Sequence, residues 1–127
     1  MYKEFIIIFF VIALIVTLDV ITNNYTKTSV NLLTEELSSL EQSLKDKNNE
    51  KITSKMSNIN NEWEKRYGKL AYYIEHDELE KVGTEITRLS AYINVQEYDE
   101  AQNETATTVF ILQHIEDKEK FSVRSIF

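Results

Sequence analysis

From Phe5 to Leu18 the chain runs without a charge: Phe-Ile-Ile-Ile-Phe-Phe-Val-Ile-Ala-Leu-Ile-Val-Thr-Leu. Asp19 interrupts this run, and Val20 and Ile21 extend its apolar character. As a helix, the segment from Phe5 to Ile21 is roughly 25 Å long. That is the short end of a membrane span, workable with Tyr2 in the interface and local thinning of the bilayer. The stretch is apolar on every face, whereas a core helix of a small domain carries its apolar residues in one stripe. A cleaved signal peptide has a comparable apolar region but needs small residues at the cleavage site. No alanine or glycine occurs between Val16 and Asn24, and no cysteine is present for lipoprotein processing. The reading is an uncleaved anchor over residues 1–22, with Phe5, Ile8, Phe9, Ile12, Leu14, Ile15 and Leu18 facing lipid.

Positive charge favours the inner side of a membrane. Lys3 and the amino terminus precede the apolar run, offset by Glu4, and Asp19, Lys27, Glu35 and Glu36 follow it. The expected topology is a single pass of the cell membrane, with the N-terminus inside and residues 23–127 extracytoplasmic.

What can follow the anchor is bounded by what the chain lacks. It has no proline and two glycines in 127 residues. Small strand-rich domains need many turns, and turns draw on both residues, so long helices with few connections are expected. Outside Lys3, Glu4 and Asp19, 13 basic and 19 acidic residues remain. An acidic domain is a poor partner for nucleic acid, whose affinity rests on phosphate contacts, and gains nothing from anionic headgroups. Without cysteine there are no disulfides, thiolate metal sites or cysteine nucleophiles. The abundance of Ile, Asn, Lys and Glu suits an AT-rich, bacterial genome.

Beyond the anchor, apolar residues recur in steps of three and four. Four helices are expected, over about 26–46, 49–75, 77–94 and 97–117, with a tail over 118–127. Short polar gaps separate them, and short gaps make neighbours antiparallel. Residues level with one another in such a hairpin have numbers of constant sum. Leu37 with Ile59 and Leu33 with Trp63 share one sum. Ile59 with Ile93, Trp63 with Leu89 and Leu70 with Val82 share a second. Ile86 with Thr105, Val82 with Val109 and Leu79 with Leu112 share a third. The fold expected is all-α: an N-terminal transmembrane helix, then an up-down-up-down antiparallel four-helix bundle. Its core layers are Leu33, Leu37, Ile59, Trp63, Leu70, Val82, Ile86, Leu89, Val109 and Leu112.

An asparagine of the Lys45–Asn49 gap is expected to cap the second helix, and Asp77 with Glu80 to form a capping box on the third. Gly68 and Gly83 fall level across the second and third helices, which suggests close backbone approach. Glu36-Leu37-Ser38-Ser39-Leu40 is echoed seven heptads later by Glu85-Ile86-Thr87-Arg88-Leu89, the spacing expected of a duplicated hairpin.

The ending Leu112-Gln113-His114-Ile115-Glu116-Asp117-Lys118-Glu119-Lys120-Phe121-Ser122-Val123-Arg124-Ser125-Ile126-Phe127 resembles that of the bacterial family known as domain of unknown function 4363. Its members are similar in length, begin with one hydrophobic segment, carry a mid-chain tryptophan as Trp63 is here, and close soon after an Ile-Phe pair. The resemblance implies a membrane location in Gram-positive spore-formers and their relatives, and no activity.

Chemistry is sparse. His76 and His114 fall at one bundle end and, with Glu75, Glu78 or Glu116, have the residue types of a metal site. A solvated turn histidine and a helix C-terminal histidine account for them more simply, so no metal, cofactor or catalytic residue is assigned. The two glycines are 15 apart within helices, so there is no glycine-rich phosphate loop. Tyr72 and Tyr92 fall off the core stripes and suit a partner surface or a membrane interface.

The function expected is that of a non-enzymatic interaction protein, an accessory subunit of another, unidentified membrane protein. The alternative is a ligand-binding sensor module, which needs a polar cavity between helices. Because straight continuation of the fourth helix would carry Lys118, Lys120 and Arg124 into hydrocarbon, the tail is expected to turn. It would lie in the interface or over the second turn, with Phe121, Ile126 and Phe127 making the contacts and Phe121 buried in either case.

Overall fold

The computed structural model describes residues 1–126, with side chains described through Phe121. Four helices follow one another: α1 (Tyr2–Lys45), α2 (Asn49–Leu70), α3 (His76–Asn94) and α4 (Tyr98–Ile126). They form an antiparallel bundle in which α1 packs on α2 and α4, and α3 packs on α4. The fourth side of the bundle, between α2 and α3, is only sparsely packed.

Heptad spacing accounts for the core. Val30, Leu33, Leu37, Leu40 and Leu44 of α1 meet Ile52, Met56 and Ile59 of α2, Leu79, Val82, Ile86 and Leu89 of α3, and Ala101, Leu112 and Ile115 of α4. Full burial of an aliphatic side chain stabilises by roughly 1.5–3 kcal/mol, so this stripe dominates the fold's stability. Hydroxyls admitted to the interior are satisfied locally. Thr26, Ser43, Thr105 and Thr108 each donate to a carbonyl three or four residues earlier in their own helix. Ser29 accepts from Arg66 Nη1 at 3.1 Å.

The apolar segment and the first bundle helix are one helix of 44 residues. No break in the backbone falls at residue 22, where the anchor is expected to give way to the bundle domain. The change at that point is in side-chain chemistry alone. No proline or glycine interrupts Asp19–Lys27, and Thr22 and Thr26 return hydrogen bonds to Asp19 O and Thr22 O. Side chains from Phe5 to Ile15 lie exposed along this helix, and an 18-residue window of it is long and apolar enough to cross a membrane.

Helix α2 stops at Leu70, short of the expected Ile74–Glu75. Its last turn loosens into a tighter i→i+3 pattern, with Tyr72 N–H donating to Lys69 O and Tyr73 N–H to Leu70 O. This swings Ile74 into the core and brings Tyr73 Oη to 2.7 Å from Thr26 Oγ1 and 3.1 Å from Thr22 O. Helix α3 then begins at His76 with Glu75 at the cap position and no side-chain cap, so the expected Asp77–Glu80 capping box does not form. The cap expected on α2 is present: Asn48 Oδ1 accepts from Lys51 N–H at 3.2 Å.

The two remaining turns are copies of one another. Both end a helix with a non-glycine residue in the left-handed region, Lys47 at φ 54° and Gln96 at φ 60°. In each, that residue donates to the carbonyl three back, Lys47 to Leu44 and Gln96 to Ile93. The next residue donates to the carbonyl five back, Asn48 to Ser43 and Glu97 to Tyr92. This is the Schellman pattern, which usually places glycine at the left-handed position. Every atom pair in the first turn recurs in the second at the same interval as the sequence echo.

Helix α4 also corrects the expected ending. It does not stop at residue 117 but continues to Ile126, with no turning tail among the described residues. Lys118 bridges to Glu75 and Glu78, and Lys120 to Glu116, so these two lysines are held by the helix and its neighbour. The continuous α1 offers a surface for the extension to follow, and Glu119 comes near Asp19. Phe121 is 73% exposed rather than buried, so it closes no cap. The side chain of Ile126 and all of Phe127 lie outside the described residues.

Candidate functional site

The open side of the bundle is the most distinctive surface feature. The groove between α2 and α3 has a volume of about 590 Å³. Asn60, Trp63, Glu64 and Tyr67 form its α2 wall, at the spacing that puts them on one helix face. Its α3 wall includes Leu79, Glu80, Gly83, Thr84, Thr87 and Arg88. Trp63, expected in a core layer, is only half-buried: its ring borders the interior beside Leu33, Leu79 and Leu112 and also lines the groove. Tyr67 packs edge-on against it, with ring centres 5.7 Å apart.

Gly83 explains how the walls meet. A Cβ there would lie 3.6 Å from Trp63 Nε1, so the indole edge rests where α3 has no side chain. Gly68 has open space around it, which corrects the expectation that two level glycines bring the backbones together. By the seven-heptad repeat, Trp63 corresponds to Leu112 and the α2–α3 side corresponds to the closely packed α1–α4 side. An indole in place of leucine at this level is too bulky for the same close approach, so one quasi-equivalent interface is closed and the other open.

Arg66 supports the groove from behind. It is held by Glu62 at 3.0 Å, donates to Ser29 on α1 and lies 5.7 Å over the Tyr25 ring. This fixes the α2 wall to α1. No comparable charged tie joins α3 to α2 among the described residues.

On the opposite side of α3, Glu85 and Glu104 meet across the α3–α4 contact. One Oε2 of each is buried without a hydrogen-bond partner. The contact between the two carboxyls, burial and mutual repulsion push Glu104 up to about 7, against a smaller opposing pull from Arg88. Arg88 Nη1 lies 3.4 Å from Glu85 Oε1. Two ionised carboxylates facing one another disfavour the charged form, which is the sense of the shift at Glu104. Neither residue falls on a core stripe, and the heptad reading missed them. Like-charged residues flanking the stripes at matching heights are the signal that would have found them.

At the other end of the bundle, Asp19 Oδ2 is also buried without a partner. Glu119 of α4 sits nearby, its carboxyl raised by burial and by Asp19, with Lys118 opposing. Tyr73 is raised chiefly by burial, with its bond to Thr26 opposing.

Phe5, Ile8, Phe9, Ile12, Leu14, Ile15 and Leu18 are exposed along α1. Leu33, Leu37, Ile59, Leu70, Val82, Ile86, Leu89 and Leu112 are buried together, and Val109 is half-buried at the edge of that core. Tyr72 is 90% exposed at the α2–α3 turn, and Tyr92 is half-buried. Phe110, on the outer face of α4, is 69% exposed and was not singled out from sequence. His76 Nε2 lies 3.6 Å from Glu80, and among the described residues no three His, Asp or Glu side chains converge as metal ligands.

Fold and surface thus define a small antiparallel helical bundle built on one long helix whose first half is apolar on every face. The chain belongs to the family described as Domain of unknown function (DUF4363), whose model matches residues 20–126. No curated protein matches the chain, and no solved structure does.

Proposed function

We propose that this chain is a membrane-anchored, extracytoplasmic, non-enzymatic accessory subunit that docks a segment of another membrane protein in its α2–α3 groove. The observation that carries the reading is the asymmetry of the bundle. Three of its sides are closely packed and one is open, and the open side presents Trp63 and Tyr67. Half-exposed tryptophan and tyrosine in a concave surface are the residue types that anchor protein interfaces. The exposed apolar half of α1 supports insertion in a bilayer, with the short N-terminus inside. The groove then stands at a fixed height. Trp63 is level with Leu33, twelve residues beyond Ile21, or about 18 Å along the helix. That height suits the membrane-proximal part of a neighbouring membrane protein.

A ligand sensor would enclose its ligand between helices. The interior void bordered by Leu33, Trp63, Leu79 and Leu112 is about 10 Å³ and apolar, too small for a metabolite. This favours the docking reading.

The test is co-purification of the full chain from its native membranes. Wild type and Thr107→Arg, altered on the outer face of α4, are expected to retain the same membrane protein, and Thr84→Arg, altered inside the groove, to lose it. Retention by Thr84→Arg with loss by Thr107→Arg would overturn the assignment of the groove.

A further inference from the structure

The Glu85–Glu104 contact has a consequence for the groove on the other side of α3. Helix α3 is held to the bundle chiefly by α4, because its packing on α2 is sparse. Whatever weakens the α3–α4 contact therefore moves the α3 wall relative to Trp63. The two carboxyls sit in the middle of that contact, each with a buried oxygen that no other donor reaches. A proton shared between them supplies the missing donor. Its loss to water leaves two negative charges facing one another in a poorly solvated place.

We propose that Glu85 and Glu104 form a proton-dependent clasp: with one shared proton they hold α3 on α4, and when both ionise α3 loosens and the α2–α3 groove changes shape. The link to the groove rests on the docking reading above, whereas the clasp itself does not. The charged groups acting on the pair are Arg88 on α3, 3.4 Å from Glu85, and Glu100 on α4. Arg88 favours ionisation and Glu100 opposes it, and neither supplies a donor to the orphaned Oε2 atoms. The groups acting on Glu104 all belong to α3 and α4.

The sign follows from linkage. A carboxyl raised in the folded state binds its proton more tightly there than in the unfolded chain. The stabilisation is complete below the unfolded value and is lost as pH rises through the folded one. For Glu104 the window runs from roughly pH 4.5 to about 7.

Glutamine keeps the shape of a protonated glutamate and supplies its donor permanently. The experiment compares the full chain in detergent micelles with its Glu104→Gln and Glu85→Gln variants. All carry His76→Gln and His114→Gln, since histidines in general also change charge near neutrality. Each glutamine variant is expected to melt higher than its parent, by a gap that opens between pH 5 and 7 and is constant above pH 8. Trp63 emission of the parent is expected to shift over the same interval and that of the variants to stay fixed. A gap that is zero, or that does not vary with pH, overturns the clasp. A gap that opens while Trp63 emission stays constant overturns its coupling to the groove. Neither readout involves a partner, so failure here is distinct from failure of the docking test.

Discussion

Lys47 and Gln96 occupy the left-handed position of two equivalent Schellman turns, where a side chain costs roughly 1–2 kcal/mol relative to glycine. Replacing each with glycine removes that cost but adds unfolded-state entropy worth about 0.4–1 kcal/mol. The net gain expected is about 0.5–1 kcal/mol per site. Neither side chain makes a hydrogen bond or ion pair among the described residues, so nothing else is lost. The effects act on separate backbone turns, and the double variant should gain about 1–2 kcal/mol. For a domain of this size that raises the melting temperature by roughly 4–8 °C per kcal/mol. The assay is urea unfolding of the full chain in mild detergent, followed by Trp63 fluorescence and helical circular dichroism. Lys47→Ala and Gln96→Ala are the controls, because alanine keeps the left-handed penalty. Equal stability of the alanine and glycine variants, or destabilisation by glycine, would refute the reasoning.

Three further outcomes follow from burial and bonding. Trp63→Ala should cost about 2 kcal/mol, less than the roughly 3–5 kcal/mol of a fully buried aromatic, because part of its ring lines the open groove. Leu89→Ala, at a residue with no exposure, should cost about 2–5 kcal/mol by the same unfolding assay. Tyr73→Phe should cost about 1 kcal/mol, since Thr26 keeps its own bond to Thr22 O and no buried hydroxyl is orphaned.

The core was legible because heptad stripes are set by helix geometry alone. Leu33, Leu37, Ile59, Val82, Ile86, Leu89 and Leu112 are buried as the stripes require, but the α2–α3 register differs from the expected one: Trp63 lies against Gly83 and beside Leu79 rather than level with Leu89. Local chemistry was legible where it needed no tertiary partner, as at the Asn48 cap. What was not legible depended on contacts between distant segments. The end of α2 is decided by Tyr73 reaching Thr22 and Thr26, far back in the chain on α1. The continuity of α1 through residue 22 is not legible from patterning, because a change from apolar to amphipathic character does not break a backbone that lacks a breaker. The course of α4 past residue 117 was misread for a related reason, since it follows a surface that the continuous α1 alone provides. Glu85 and Glu104 each read as ordinary solvated acids until the helices bearing them were placed side by side. The groove arises from one bulky residue at a position where its repeat partner is leucine, a difference the stripe pattern scores as equivalent.

The placement of the groove depends on α1 being one rigid helix that carries the bundle at a fixed height above the apolar segment. Because the chain has no cysteine, Thr17→Cys and Lys45→Cys can be spin-labelled without background and the distance between them measured by pulsed electron resonance in lipid nanodiscs. A continuous helix at the standard rise per residue predicts one narrow distribution centred at roughly 42 Å. A broad distribution, or one centred well below that value, would show a hinge between the apolar segment and the bundle and contradict the account.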